Sequence, residues 1–183
     1  VALTRAELES YAGRTIPDLV PDDLRLLLVG INPGLVSAAT GLHFARPGNR
    51  FYPALRLAGI LPADVLTPQD AAPVLLERGV GITNMVARSS ARADELDDEE
   101  ILAGRARLEA FVARHRPRVV AFAGITTYRI AFADKKAAAG RQDRTIAGAD
   151  VWVVPNPSGL NAHETVDSLA VAYRAAAEAA GVV

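Results

Sequence analysis

Four short apolar runs constrain the fold of this chain more than any other feature: residues 25–30, 80–86, 119–123 and 151–155. Each is bounded by turn-forming residues and is too short for a helix of ordinary length. Continuous rather than alternating apolarity is expected of strands covered on both faces. Helix-like segments separate the runs. A repeating order of strand, loop and helix favours an α/β sandwich around a mainly parallel, four-stranded central sheet.

The helical segments are predicted over residues 50–59, 68–78, 98–115, 125–133 and 164–180. Pro68 suits a first turn, and Gly79 suits a stop. Asp97 is the expected N-cap of the longest helix, with Glu100 three residues on. Ile101, Leu108, Phe111 and Val112 supply its apolar face. Phe51 reads as a core residue at the start of its helix. Residues 1–13 read as a mixed polar, helical start. Three segments read as loops: a long irregular one over 31–49, a polar one over 87–97, and an exposed polar connection over 135–144. In a parallel sheet, ligands usually bind beyond the carboxyl ends of the strands. The segments beginning at Asn32, Arg88 and Asn156 all follow strands and are expected to converge there.

A chain of 183 residues suits one compact domain, taken here as residues 1–183. It has no cysteine, which excludes disulfides, thiolate nucleophiles and zinc fingers. The three histidines, His43, His115 and His163, form no spaced ligand motif, so no metal site is assigned. The Gly30–Gly34 segment lacks the ending of a phosphate-binding Walker loop and the spacing of a dinucleotide fingerprint, so no cofactor is assigned. The net charge of -1 says little about nucleic acid, because binding depends on a local basic face. Arg46, Arg50, Arg88 and Arg92 cluster near the candidate loops, against an acidic stretch over 94–100. The run Leu26–Val29 is too short to span a bilayer, so no membrane partner is expected. An intracellular, cytoplasmic location follows as the default expectation.

On their own residues, Gly30–Gly34 and Asn156–Gly159 also fit plain turns. Taken together they carry a resemblance. Gly30-Ile31-Asn32-Pro33-Gly34-Leu35, followed by Thr40-Gly41 and Phe44-Ala45-Arg46-Pro47-Gly48-Asn49-Arg50-Phe51, resembles the first motif region of the mismatch-specific uracil-DNA glycosylases. Asn156-Pro157-Ser158-Gly159-Leu160-Asn161 resembles their second, DNA-penetrating motif. The resemblance covers roughly residues 24–180. It implies a three-layer α/β/α fold of the uracil-DNA glycosylase type and a monomer that needs no cofactor. The implied activity is hydrolysis of the uracil N-glycosidic bond in G·U mismatches of double-stranded DNA, leaving an abasic site. Uracil in other contexts, ethenocytosine and thymine are further substrates it admits.

The resemblance assigns roles by position. Asn32 orients the attacking water and contacts the substrate; an amide cannot serve as a strong general base. Ile31 and Gly34 shape the base pocket, and Phe44 stacks on the extruded base. Leu160 enters the gap left by that base, and Gly159 permits close backbone approach. Asn161 contacts the partner guanine, Ser158 contacts phosphate, and His163 is a further DNA contact. Asp94 is a candidate for activating water or stabilising the sugar cation. Arg88 and Arg92 are candidate phosphate contacts. Asn49 and Arg50 are expected to support the loop. Two departures stand out: the family's usual arginine after the wedge is absent, and the second motif begins with Asn156 rather than a catalytic histidine. Two other readings remain: an inactive nucleic-acid-binding module on the same fold, and a small-molecule or nucleotide-binding α/β protein.

Overall fold

The computed structural model describes residues 3–183. Five strands form one sheet in the order β2-β1-β3-β5-β4: β1 (Leu26–Gly30), β2 (Val80–Asn84), β3 (Val119–Ala123), β4 (Gly140–Ile146) and β5 (Ala149–Val154). The first three and β5 are mutually parallel, and β4 pairs antiparallel with β5. The helices are α1 (Arg5–Glu9), α2 (Leu35–Thr40), α3 (Phe51–Leu57), α4 (Pro68–Glu77), α5 (Asp98–His115), α6 (Ile125–Phe132) and α7 (Val166–Ala180). The first two residues of the expected helical start lie outside the described residues.

Strand alternation explains the layers. Leu26 and Leu28 face a core shared with α3, α4 and α7, where Phe51, Leu75 and Tyr173 are fully buried. Leu27 and Val29 face the opposite core, built with Leu108 and Val112 of α5 and Tyr128 of α6. Successive side chains of each strand therefore enter two different cores, which is why these runs are continuously apolar.

Two sequence expectations are corrected. The sheet has five strands, not four, because the supposed polar connection over 135–144 contains most of β4. This strand lies at the sheet edge, where charged side chains deter pairing with another chain. Its two-residue turn to β5, Ala147-Gly148, has both φ values positive, at 47° and 88°. That geometry matches the natural twist of a hairpin. The irregular segment over 31–49 likewise contains α2, which stops at Gly41 in the left-handed conformation. The N-cap of α5 is Asp97, with its side chain accepting from the Glu100 N–H at 2.8 Å.

Candidate active site

The parallel arrangement brings the ends of β1, β2, β3 and β5 to one edge of the sheet. A cavity of about 160 Å³ opens there, walled by Ile31, Asn84, Ala123 and Asn156 from just beyond or at those ends. The segment after β1 runs beside the segment after β2. Met85, Val86 and Ser90 N–H groups donate to the carbonyls of Gly30, Ile31 and Pro33 at 2.8, 2.9 and 3.1 Å.

This pairing sets Asn32. Its Nδ2 donates to the Arg88 carbonyl at 3.0 Å and to Ser90 Oγ at 2.8 Å. Ser90 gives its own proton to the Arg92 carbonyl at 2.7 Å, so towards Asn32 it accepts. Both amide protons are thereby engaged. The Oδ1 remains as the acceptor that Asn32 offers as a wall residue of the cavity.

Phe44 forms another wall. Its φ of 52° is left-handed, a conformation that costs a non-glycine residue about 1–2 kcal/mol. Neighbouring contacts hold it there. One ring face lies on Phe51 at 3.9 Å between centroids with an interplanar angle of 15°. On one side of Phe44, Tyr52 Oη donates to the His43 carbonyl at 2.7 Å; on the other, the Ala45 N–H donates to Ser37 Oγ at 3.3 Å. A Cβ at Gly30 would lie 2.5 Å from Asn84 Oδ1 and 3.2 Å from the tip of the Phe44 ring. Glycine at this strand end lets both groups close over the backbone.

The sequence reading missed His43 and Asn84. Both are buried and both line the cavity. Burial pushes the His43 pKa below its ordinary value, against the smaller opposing pull of the Pro17 carbonyl and Asp18. Asn84 follows Thr83 at the end of β2, and two polar residues closing an apolar run were its available signal. Ile16 also contributes to the wall, so the segment before β1 reaches the site.

The second motif forms the facing rim. A cleft of about 560 Å³ is lined by Ser158, Leu160, Asn161 and His163, and shares Ile31, Asn156 and Ser158 with the cavity. Leu160 is 75% exposed. The loop beneath it is gripped through its main chain. Arg50 donates from its backbone N–H to the Pro157 carbonyl at 2.9 Å, and from its guanidinium to the carbonyls of Ser158, Asn161 and Glu164. The Cβ position at Gly159 is 2.6 Å from the Gly48 carbonyl oxygen, so the two loops touch where any larger residue would clash. Within the turn, Asn156 Oδ1 accepts from the Ser158 N–H at 2.9 Å, and Asn161 Nδ2 donates to the Asn156 carbonyl at 3.1 Å. His163 precedes Thr165, the N-cap of α7, and is exposed.

The remaining candidates sit further out. Gly34 caps α2 and lines the cavity, as does Arg92. Asp94 is not a wall residue: it pairs with Arg92 at 2.8 Å, and both side chains are largely exposed. Arg88 is turned into a forked ion pair with Glu100 and also donates to the Glu95 carbonyl at 3.0 Å. The Arg88 hydrogen bond draws the Glu100 pKa down to about 2. Among the described residues, no group of three or more His, Cys, Asp or Glu side chains could hold a metal ion. Nor is any described helix long and apolar enough to cross a membrane.

A candidate uracil DNA glycosylase from Methanosarcina acetivorans, solved by solution NMR, has the same fold. It superposes with a TM-score of 0.62 over 88% of this chain and 96% of its own, at 16% identity. The family model described as the uracil DNA glycosylase superfamily matches residues 17–178, from the strap that reaches the cavity through to α7. With both motif loops and four parallel strand ends inside that span, the chain belongs to the uracil DNA glycosylase superfamily.

Proposed function

We propose that the protein is a monofunctional DNA glycosylase of the mismatch-specific type, hydrolysing the N-glycosidic bond of uracil in G·U mismatches. The observation that carries this reading is the wiring of Asn32. With both amide protons held by Arg88 and Ser90, its Oδ1 is presented as a fixed acceptor in a cavity also walled by Phe44. A base in a duplex must leave the stack before its glycosidic bond is accessible. A mismatched pair opens at lower cost, which favours uracil opposite guanine.

In this reading the extruded base lies on the free face of Phe44, between Ile31 and Gly34, with its Watson–Crick edge towards Asn84. Asn32 Oδ1 accepts a hydrogen bond from a water molecule and aims its oxygen at C1′. The C1′–N1 bond breaks with its electron pair leaving on uracil. The water oxygen bonds to C1′ and releases a proton to solvent. Donors at the base edge stabilise the departing anion. Leu160 fills the vacated stack, Gly159 lets the rim approach, and Ser158, Asn161 and His163 follow the strand. Arg92 is the better placed of the two candidate phosphate contacts, because it borders the cavity and its pair with Asp94 is exposed, whereas Arg88 lies off the cavity wall in a forked pair with Glu100. Asp94 acts on the sugar only if it leaves Arg92, and so receives a subordinate role.

The reading takes residues 1–183 as one domain that works as a cytoplasmic monomer on double-stranded DNA, without cofactor. Ethenocytosine and thymine are secondary substrates. Single-turnover cleavage of G·U, A·U and G·T duplexes and of single-stranded uracil DNA tests it. Abasic product is expected fastest on G·U. DNA binding by folded protein with no abasic product on any uracil substrate would favour an inactive binding module.

A further inference from the structure

The segment preceding β1 reaches the base cavity directly at Ile16 and also through one buried ring, that of His43. Pro17 presents its carbonyl oxygen to His43 Nε2 at 3.0 Å. A carbonyl can only accept, so Nε2 carries the proton. Burial disfavours the charged ring, and in the neutral form with Nε2 protonated Nδ1 is a bare acceptor. Nδ1 lies 3.4 Å from Asn84 Nδ2, a long hydrogen bond in which the amide nitrogen donates. The opposite end of that amide, Oδ1, rests over the Cα of Gly30, where no side chain intervenes. The same strap is fastened to β2 just after this point. Leu19 and Ile82 exchange backbone hydrogen bonds of 2.9 and 2.8 Å, and Thr83 Oγ1 donates to Asp18 Oδ1 at 2.7 Å.

We infer that His43 is a positioning residue: the strap carbonyl at Pro17 fixes its tautomer, the tautomer fixes the Asn84 amide, and the amide selects the pyrimidine edge. This rests on the proposed reading in which Asn84 meets the base. With one N–H given to His43, Asn84 retains one N–H and the Oδ1 lone pairs. That pair of groups complements an acceptor carbonyl next to a ring N–H, as in uracil and thymine. Turned over, the same amide would complement an amino group next to a bare ring nitrogen, as in cytosine. Cytosine is the abundant base that a uracil-removing enzyme must leave alone. A site that hydrogen-bonds one edge rejects the other because its buried polar groups would be left unpaired. In this chain the choice is made by a residue that need not touch the base itself.

The test compares single-turnover excision of uracil and cytosine, each placed opposite an abasic-site analogue so that neither is held by pairing. His43→Gln keeps a donor for Pro17 but offers Asn84 no acceptor at the Nδ1 position. It is expected to lower the uracil-to-cytosine ratio by about 10- to 100-fold. His43→Asn places an acceptor oxygen near the Nδ1 position and is expected to restore the ratio towards that of the wild type. Asn84→Asp is the control for the underlying reading and is expected to collapse the ratio. A wild-type ratio in His43→Gln alongside a collapsed one in Asn84→Asp would overturn the positioning role and leave Asn84 reading the base. An unchanged ratio in Asn84→Asp would remove the base-reading itself, and the positioning role with it. Long-range proton–nitrogen NMR of the wild-type imidazoles is independent of whether the variants fold. An Nε2–H signature is expected for His43, and an Nδ1–H tautomer overturns the inference.

Discussion

The loop after β1 and the loop after β5 face each other across one opening, yet they are built on opposite plans. In the first, side chains are the fixed parts. Asn32 has both amide protons engaged, Phe44 is stacked on Phe51, and His43 is buried between Pro17 and Asn84. In the second, the main chain is the fixed part. Arg50 holds four of its carbonyls while Leu160 stands out into solvent. Bond cleavage needs atoms placed to within a fraction of an ångström, whereas entering a base stack needs an apolar side chain on a stiff support.

Asn32→Ala should break the first loop's part of this contrast most severely. Single-turnover cleavage of a G·U duplex should fall by about 100- to 1000-fold, with DNA affinity little changed. A loss of affinity at constant cleavage rate would place Asn32 among the binding groups instead. Leu160→Ala should cost about tenfold on the duplex and far less on single-stranded uracil DNA, where there is no stack to fill. Equal losses on both substrates would mean that Leu160 packs on the protein rather than entering DNA.

The first loop should also respond to acid through His43. The His43 pKa is lowered in the folded protein, so below its ordinary value of about 6.5 the unfolded chain binds a proton that the folded chain resists. Its contribution is therefore full above that pH and lost as the pH falls towards the lowered folded value. The Tm of the wild type should decline over that interval more steeply than that of His43→Asn, and parallel curves would contradict the assignment. Asp94→Asn should have the smallest effect, less than about twofold on cleavage, because its partner is Arg92 at the exposed rim. A large loss would restore Asp94 as a group acting on the sugar.

The parallel strands were legible because burial on both faces demands unbroken apolar runs. The fifth strand was not, because an edge strand can be polar throughout. Arg141, Asp143 and Arg144 gave no apolar signal, and only the Ala147-Gly148 turn marked the hairpin. Helix α2 was hidden among the glycines and prolines on either side of it. Asn32, Phe44 and Leu160 were legible as candidates because they sit inside two recognisable motifs, and they line the cavity and its adjoining cleft. His43 lies beside such a motif but gains its place only through Pro17 and Asn84, 26 residues before and 41 residues after it. Arg88 and Arg92 looked alike in sequence. Only the fold revealed that Glu100 takes one and that the other borders the cavity.

The grip of Arg50 has a consequence for how such a rim can change. A guanidinium that binds only peptide oxygens is indifferent to the side chains those peptides carry. Leu160 and His163 can therefore be exchanged one at a time without unfastening the loop, whereas Asn161 also ties the turn through its own side chain. In the proposed reading, the part of the molecule that meets the opposite strand is a replaceable tip on a permanent mount, and a lineage that exchanges it retunes its choice of mismatch while the chemistry stays still.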